Sequence, residues 1–167
     1  MTTQRIAEDA NGPRATFEDI EVGHDLGVLE WEVDAEDART QLHTDRDYDP
    51  WYVTGAPGHD VIVPPQMQYR PPRWLLSRNY NIRGLFYKWE FENVRPMTAG
   101  MKLTLTGRIS DKYIRNEREF VAYSVEARDA VGDLVFTTTR THVLDALSRD
   151  VPRSGQGIDS GIKREKI

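Results

Sequence analysis

The chain has 167 residues, no cysteine and a formal net charge of −5 at pH 7. The absence of cysteine excludes disulfide frameworks, thiolate metal sites and thiol nucleophiles, and the acidic charge balance gives little support for binding nucleic acid. A chain of this length fits one domain with a single core. The sequence contains no apolar run long enough to cross a membrane and no apolar segment of the kind found in signal peptides, so we expect a cytoplasmic protein without membrane contact.

The two ends of the chain differ from its middle. Residues 1–15 are polar and carry Gly12 and Pro13, which predicts a flexible N-terminus. Residues 145–167 have no sustained apolar periodicity, which predicts a polar C-terminal tail. The folded domain is therefore expected at 16–144.

A first helix is predicted at 34–43, because Asp34 can cap its first turn and Ala38 and Leu42 fall on one face. The next stretch, RDYDPWYVTGAPGHDVIVPP at 46–65, is rich in glycine and proline and reads as a loop. A second helix is predicted within 64–80. Because Pro71 and Pro72 prevent one unbroken helix from Gln66 onward, we expect it to be bent or delayed.

Segments rich in β-branched and aromatic residues predict about five strands, at 26–33, 84–94, 102–114, 118–130 and 133–144. In the second of these, Phe86, Trp89 and Phe91 are expected to be anchors. Short turns separate the last three strands as an antiparallel meander. The pattern predicts an α+β domain in which one antiparallel sheet wraps around a central helix.

Three segments give the chain a family resemblance. TFEDIEVG at 16–23, VDAEDARTQ at 33–41 and FENVRPMTAGMKLTLTGRISDKY at 91–113 are similar to segments of the MaoC-like branch of the hot-dog fold. This branch comprises (R)-specific enoyl-thioester hydratases and β-hydroxyacyl dehydratases. The similarity covers Phe17 to Leu144 and implies a single hot-dog domain. A wrapped sheet leaves an edge strand unpaired, so we expect a homodimer or a heterodimer with another hot-dog chain.

The hydratase motif of this family has the form D-x-N-P-x-H, and the chain has D-Y-D-P-W-Y in its place. Asp47 stands on the motif's Asp, Asp49 on its Asn, Pro50 on its Pro and Tyr52 on its His. The following VIVPP at 61–65 resembles the variant found in the fatty-acid-synthase-like dehydratases, in which aromatic residues commonly replace the motif His. The resemblance implies a loop over the mouth of an acyl tunnel, with Trp51 and Tyr52 in its wall.

The resemblance also implies chemical roles. Asp47 would orient or deprotonate water, and Tyr52 would be an acid or an oxyanion donor, since a phenol with a reference pKa of about 10 is a poor base. Family members polarise the thioester carbonyl with a backbone N–H near the start of the central helix. Pro65 stands at that position without an N–H, and the N–H of Gln66 could replace it.

Other interpretations of these residues stay open. Asp47 can be a turn former and Tyr52 can be only part of the wall. His43 or His59 could supply the missing imidazole, whereas His24 and His142 lie outside the motif.

Charged side chains near the motif raise the questions of metal and phosphate binding. Arg70, Arg73 and Arg78 could meet the phosphates of coenzyme A or of a phosphopantetheine arm, although carboxylates or solvent explain them equally well. The aspartates at 45, 47 and 49 lack the Gly and distal Glu of a calcium loop, so we expect no metal, and no cofactor is implied.

Three functions remain. The first is a hydro-lyase, a dehydratase or hydratase acting on a β-hydroxyacyl or enoyl thioester of coenzyme A or acyl carrier protein, or on a polyketide-type intermediate. The second is a subunit without chemistry of its own that shapes the acyl tunnel of a catalytic partner, which the missing His favours. The third is a hot-dog thioesterase, for which the sequence has no signature. The surviving Asp-x-x-Pro frame favours the first.

Overall fold

The computed structural model describes residues 14–82 and 84–144, which form one five-stranded sheet and four helical segments. In chain order these are β1 (Asp25–Glu32), α1 (Ala35–Asp45), α2 (Pro50–Val53), a 3-10 helix (Pro65–Tyr69), α3 (Pro71–Asn79), β2 (Leu85–Asn93), β3 (Lys102–Arg115), β4 (Arg118–Arg128) and β5 (Leu134–Val143). The predicted C-terminal tail lies outside the described residues, as does the predicted N-terminal segment apart from its last two residues.

The sheet has the strand order β1-β3-β4-β5-β2, and every neighbouring pair is antiparallel. The last three strands form the predicted meander, and the long excursion between β1 and β2 contains the helices. The predicted α+β fold class, an antiparallel sheet wrapped around a central helix, is confirmed.

Helix α3 is the central helix and packs on the concave face of the sheet. Leu75 and Leu76 are fully buried, and burying such a side chain contributes about 1.5–3 kcal/mol. The close approach of helix to sheet depends on Gly107 in β3, where a Cβ atom would lie 3.1 Å from Leu75 Cδ2 and 2.9 Å from the Ser124 carbonyl oxygen. A larger residue at 107 would push the helix away.

The predicted caps and breaks of the helices are present. Asp34 accepts hydrogen bonds of 2.8 Å from the N–H groups of Glu36 and Asp37, as an N-cap should. Helix α1 runs two residues beyond the predicted end, so His43 lies in its last turn and not at the start of the loop. It ends at Arg46, whose φ of 54° is left-handed.

The proline pair bends the second helical segment, as predicted. The 3-10 helix ends at Tyr69, and α3 begins at Pro71 with Pro72 in its first turn. Proline is tolerated there because the first N–H groups of a helix have no intrahelical acceptor.

Strand β2 is the edge of the sheet, and its aromatic residues are less enclosed than expected. Phe86, Trp89 and Phe91 face the same side, opposite His142, Arg140 and Thr138 of β5. Phe86 is 39% exposed and Phe91 is 48% exposed. Within the described residues β2 pairs with β5 alone, so these rings lack neighbours on the outer side.

Candidate functional site

The loop after α1 contains a short helix that the sequence interpretation did not include. Asp49 caps α2 by accepting a 2.9 Å hydrogen bond from the Trp51 N–H, and Pro50 occupies the first helical position. The Asp-Pro dipeptide is a helix-start signal, so the sequence did carry the information. The Ile62 N–H donates to the Trp51 carbonyl at 3.1 Å and folds the returning chain back over α2.

Trp51 and His59 pack against each other on the outer side of this loop. Their ring centroids are 5.4 Å apart, and both side chains are exposed. The turn between them requires Gly55, where φ is 77° and a Cβ would lie 2.8 Å from the His59 carbonyl oxygen. Neither ring lines the cavities described next, so substrate binding by Trp51 or His59 stays a prediction.

Tyr52 lies between two adjoining cavities. The larger one, of about 490 Å³, extends towards α1 and is lined by Ala38 and Leu42. The smaller one, of about 260 Å³, extends towards the segment between β2 and β3 and is lined by Pro65. Ile62 and Val63 line both cavities together with Tyr52. The phenol therefore stands in a mostly apolar setting that resembles a small-molecule site.

The electrostatic surroundings of Tyr52 keep its hydroxyl protonated. Partial burial raises the pKa of the Tyr52 phenol, and the negative charges of Asp47 and Asp49 raise this pKa further. At neutral pH the phenol is a hydrogen-bond donor and cannot be a base. This favours the acid or oxyanion-donor role over a direct replacement of the motif His.

Asp47 combines a turn contact with an unused oxygen. Its Oδ1 accepts a 3.2 Å hydrogen bond from the Asp49 N–H, which is the geometry of a turn former. The second carboxylate oxygen has no partner within the described part of the chain, and the side chain is half-buried. The carboxylate therefore holds the turn with one oxygen and keeps the other free, but Asp47 lines neither of the two cavities.

The predicted binding residues that follow Pro65 in the chain lie in different surroundings. The N–H of Gln66 has no acceptor among the described residues, and the Gln66 side chain is exposed. The Arg70 side chain, exposed at the start of α3, makes neither a hydrogen bond nor an ion pair with any described residue. Arg73 turns inwards and donates to the Ile82 carbonyl at 3.0 Å, whereas Arg78 donates to the Val28 carbonyl at 3.3 Å. The three arginines do not form one patch.

No histidine lines either cavity. His43 shares a 2.9 Å hydrogen bond with the Tyr48 hydroxyl, and His24 contacts the Asn79 side chain at 3.3 Å. His142 is buried in the sheet at 5% exposure. An imidazole in place of the motif His therefore has no geometric support from the described residues.

The sequence interpretation gave no weight to a buried arginine in β5. Arg140 is 1% exposed and donates to the Gln68 carbonyl at 2.9 Å and to the Tyr69 carbonyl. Its guanidinium lies over the rings of Tyr69 and Trp89, at 5.2 and 5.1 Å from their centroids. Arg140 shares the period-2 alternation of the apolar Phe136, but this pattern alone does not show which face of β5 is buried.

Between 14 and 144, apart from 83, no group of three or more His, Asp or Glu side chains is arranged to hold a metal ion. No helix in this part of the chain is long and apolar enough to cross a membrane.

Comparison with known proteins identifies the fold. No protein-family model matches the sequence, and no curated protein matches it significantly. A MaoC-like dehydratase of known structure gives a TM-score of 0.66 at 21% identity, over 77% of this chain and 43% of that protein.

Two further known structures match this chain over most of their own length. The HadBC (3R-hydroxyacyl-ACP dehydratase) complex of Mycobacterium tuberculosis gives a TM-score of 0.66 at 17% identity, over 73% of this chain and 96% of that one. The (R)-hydratase PhaJ1 of Pseudomonas aeruginosa gives a TM-score of 0.62 at 13% identity, over 77% and 83%. The chain therefore has the hot-dog fold in the form shared by MaoC-like dehydratases and (R)-hydratases.

Proposed function

We propose that the chain is a hydro-lyase that adds water to an enoyl thioester or removes it from a β-hydroxyacyl thioester. The observation that carries the proposal is the position of Tyr52, which lines two adjoining cavities and whose phenol pKa is raised by partial burial and by the negative charge of Asp47. The names of the hydratases and dehydratases with the same fold support this reaction class.

In the hydration direction, Asp47 accepts a proton from water while the water oxygen bonds to the β-carbon. The electrons of the double bond move towards the thioester, and the negative charge that develops on the carbonyl oxygen needs a hydrogen-bond donor. If Tyr52 is that donor, the proton taken up by Asp47 passes to the α-carbon; if Tyr52 instead gives its own proton to the α-carbon, Asp47 reprotonates the phenolate. Dehydration follows the same steps in reverse, with Asp47 returning the proton to the departing hydroxyl.

Backbone and surface groups would hold the thioester and its carrier. The N–H of Gln66, which has no acceptor among the described residues, can donate to the thioester oxygen. The exposed Arg70 is available to phosphates of coenzyme A or of a carrier-protein arm. Trp51 and His59 would contact the carrier at the outer rim of the loop. Arg73 points inwards, towards the Ile82 carbonyl, and is poorly placed to bind a phosphate of the carrier.

A second function is favoured by two observations. The position that carries His in the hydratase motif carries Tyr52 here, and no other imidazole lines the cavities. The HadBC dehydratase is a complex by its name. The chain would then shape the acyl tunnel of a partner that holds the complete pair of catalytic groups.

The first test replaces Asp47 with Asn. Asn keeps the Oδ1 acceptor for the Asp49 N–H, so the turn survives while the basic oxygen is lost. We expect hydration of crotonyl and longer enoyl thioesters to fall about 100-fold or more, with little change in stability.

Asp49→Asn is the matched control for this substitution. Asp49 caps α2 through its side chain, and Asn caps helices equally well. Activity should therefore be kept. Full turnover by the Asp47→Asn protein would leave Asp47 as a turn former and remove the main support for the hydro-lyase.

A further inference from the structure

A group of polar side chains is buried between α3 and strands β4 and β5, outside the cavities that Tyr52 lines. It consists of Arg73, Tyr123, Arg140 and His142, which we call the buried cationic cluster. Tyr123 and Arg140 are opposite each other in the ladder, and the rings of Tyr123 and His142 stack at 5.8 Å. The three sheet residues are at most 5% exposed.

Each residue of the cluster has a polar atom without a hydrogen-bond partner among the described residues. These atoms are Arg73 Nη1, Tyr123 Oη, Arg140 Nε and His142 Nε2. Burial raises the pKa of the Tyr123 phenol, and the nearby positive charges of Arg140 and Arg73 oppose this rise only in part, while the distance and angle between Tyr123 and Arg140 are not those of a hydrogen bond. Buried polar groups without partners are rare in native proteins, and four in one place indicate a missing partner.

The charge of the cluster is also unbalanced. Neither Arg73 nor Arg140 forms a salt bridge within residues 14–82 and 84–144. Burial lowers the pKa of Arg140, and the positive charge of Arg73 lowers it too. Burying Arg140 and the Nη1 atom of the half-buried Arg73 without an anion is unfavourable, so an anionic partner would stabilise the folded state.

We propose that the buried cationic cluster binds a carboxylate group. The free atoms of Arg73, Tyr123 and Arg140 are all hydrogen-bond donors, and His142 can donate from Nε2 in one of its neutral tautomers. A planar carboxylate with two acceptor oxygens matches guanidinium donors better than a neutral ligand does.

The cluster lies one layer of side chains below the surface. The rings of Tyr69, Phe86 and Trp89 cover it, with Phe86 at 5.3 Å from the His142 ring. Tyr69 is 46% exposed and Phe86 is 39% exposed.

Gln68 connects the cluster to the proposed active site. Its carbonyl oxygen accepts from Arg140 at 2.9 Å, and its side-chain amide donates to Asn93 Oδ1 at 2.7 Å. Asn93 lines the smaller of the two cavities beside Tyr52. The carboxylate can therefore come from the far end of an acyl thioester, which rests on the proposed function, or from a free small carboxylate.

The test compares the wild type with Tyr123→Phe, which removes one unpaired hydroxyl and keeps the ring. Thermal unfolding is followed while sodium acetate or succinate replaces sodium chloride at constant ionic strength. We expect a saturable rise in Tm for the wild type and an apparent affinity about ten-fold weaker for Tyr123→Phe, the usual effect of losing a hydrogen bond to a charged group. Tyr113→Phe, a partly buried tyrosine of β3, is the matched control and should behave as the wild type.

A second arm identifies the source of the carboxylate. Coenzyme A thioesters of equal length that end in a methyl or a carboxylate group are titrated by calorimetry. Tighter binding of the carboxylate-ended thioester, lost in Tyr123→Phe, assigns the group to the acyl chain; equal binding, with acetate or succinate active in the first arm, assigns it to a free anion.

The proposal is overturned if acetate and succinate leave the Tm of the wild type at its chloride value and the carboxylate-ended thioester binds no more tightly than the methyl-ended one. The free-carboxylate arm needs no turnover. Failure of the hydro-lyase proposal therefore leaves that arm unaffected, and the two failures are distinguishable.

Discussion

At the scale of single residues, His142 has the largest consequence for the pH dependence of stability. Burial and the charges of Arg73 and Arg140 lower the pKa of His142 from 6.5 to about 4. Between these pH values the unfolded chain binds a proton that the folded chain excludes. Stability is therefore complete above about pH 6.5 and is lost as the pH falls towards 4, by an amount on the order of 3 kcal/mol.

This effect predicts a difference between two unfolding curves. His142→Gln removes the titrating group, so its free energy of unfolding should depend less on pH between 6.5 and 4 than that of the wild type. Urea unfolding at a series of pH values measures the difference, with His59→Gln at an exposed position as the control. Identical pH dependence in the wild type and His142→Gln would contradict the assignment.

The sequence predicted the site residues unevenly. Asp47 and Tyr52 were predicted because they stand in a motif with fixed spacing; Tyr52 lines both cavities, and the roles of the two residues stay predictions. Arg140 and His142 were missed because a buried polar residue in a strand has the same local pattern as an exposed one. Which face of β5 is buried depends on how α3 packs against the sheet. The sequence pattern of β5 alone does not carry this information.

At the scale of secondary structure, the contact between α3 and β3 depends on a residue without a side chain. A Cβ at Gly107 would lie 2.8 Å from Val125 Cγ2 and 3.1 Å from Leu75 Cδ2. Gly107→Ala should therefore destabilise the protein by about 1–3 kcal/mol, the usual cost of overpacking a core.

Chemical denaturation measures this cost, and Thr106→Ala on the exposed side of β3 is the control. The control should change the free energy of unfolding by about 0.5 kcal/mol or less. If the free energy of unfolding of Gly107→Ala equals that of the wild type, α3 does not pack tightly against β3 at this position.

Helices were predicted well where local signals act within a few residues. Asp34 defines the start of α1, and the Pro71–Pro72 pair defines the start of α3, because capping and missing N–H groups are local effects. The predicted end of α1 was two residues too early. The residue that ends the helix in the left-handed conformation is usually glycine, and here it is Arg46.

At the scale of the whole molecule, strand β2 presents an exposed apolar edge. Leu85 and Tyr87 are 58% and 53% exposed, in addition to Phe86 and Phe91. Unpaired apolar edges are normally covered by a partner. The fold class could be predicted from the number and order of the strands in the sequence. The exposure of β2 could not, because it depends on the position of β2 at the end of the sheet and not on the sequence of β2 itself.

We therefore expect a dimer that pairs through β2. Light scattering at micromolar concentration should give about twice the chain mass of 19.2 kDa. Phe91→Lys should shift the protein towards monomer, and Val131→Lys in the β4–β5 turn, where Val131 is 82% exposed, should not. A wild-type monomer with full thermal stability would contradict this arrangement.

The hydroxyl of Tyr52 is the group on which the proposed chemistry depends, and Tyr52→Phe removes it while the ring still separates the two cavities. The direct measurement is the hydration rate of crotonyl and longer enoyl thioesters by the purified chain, with Tyr48→Phe as the matched control. We predict an active wild type, an active control, and a Tyr52→Phe protein whose kcat falls while KM changes little, because the contact is made mainly in the transition state. A wild type inactive on every substrate, together with a Tyr52→Phe change that has no effect even when a catalytic hot-dog partner is added, would contradict the hydro-lyase and leave Tyr52 as wall.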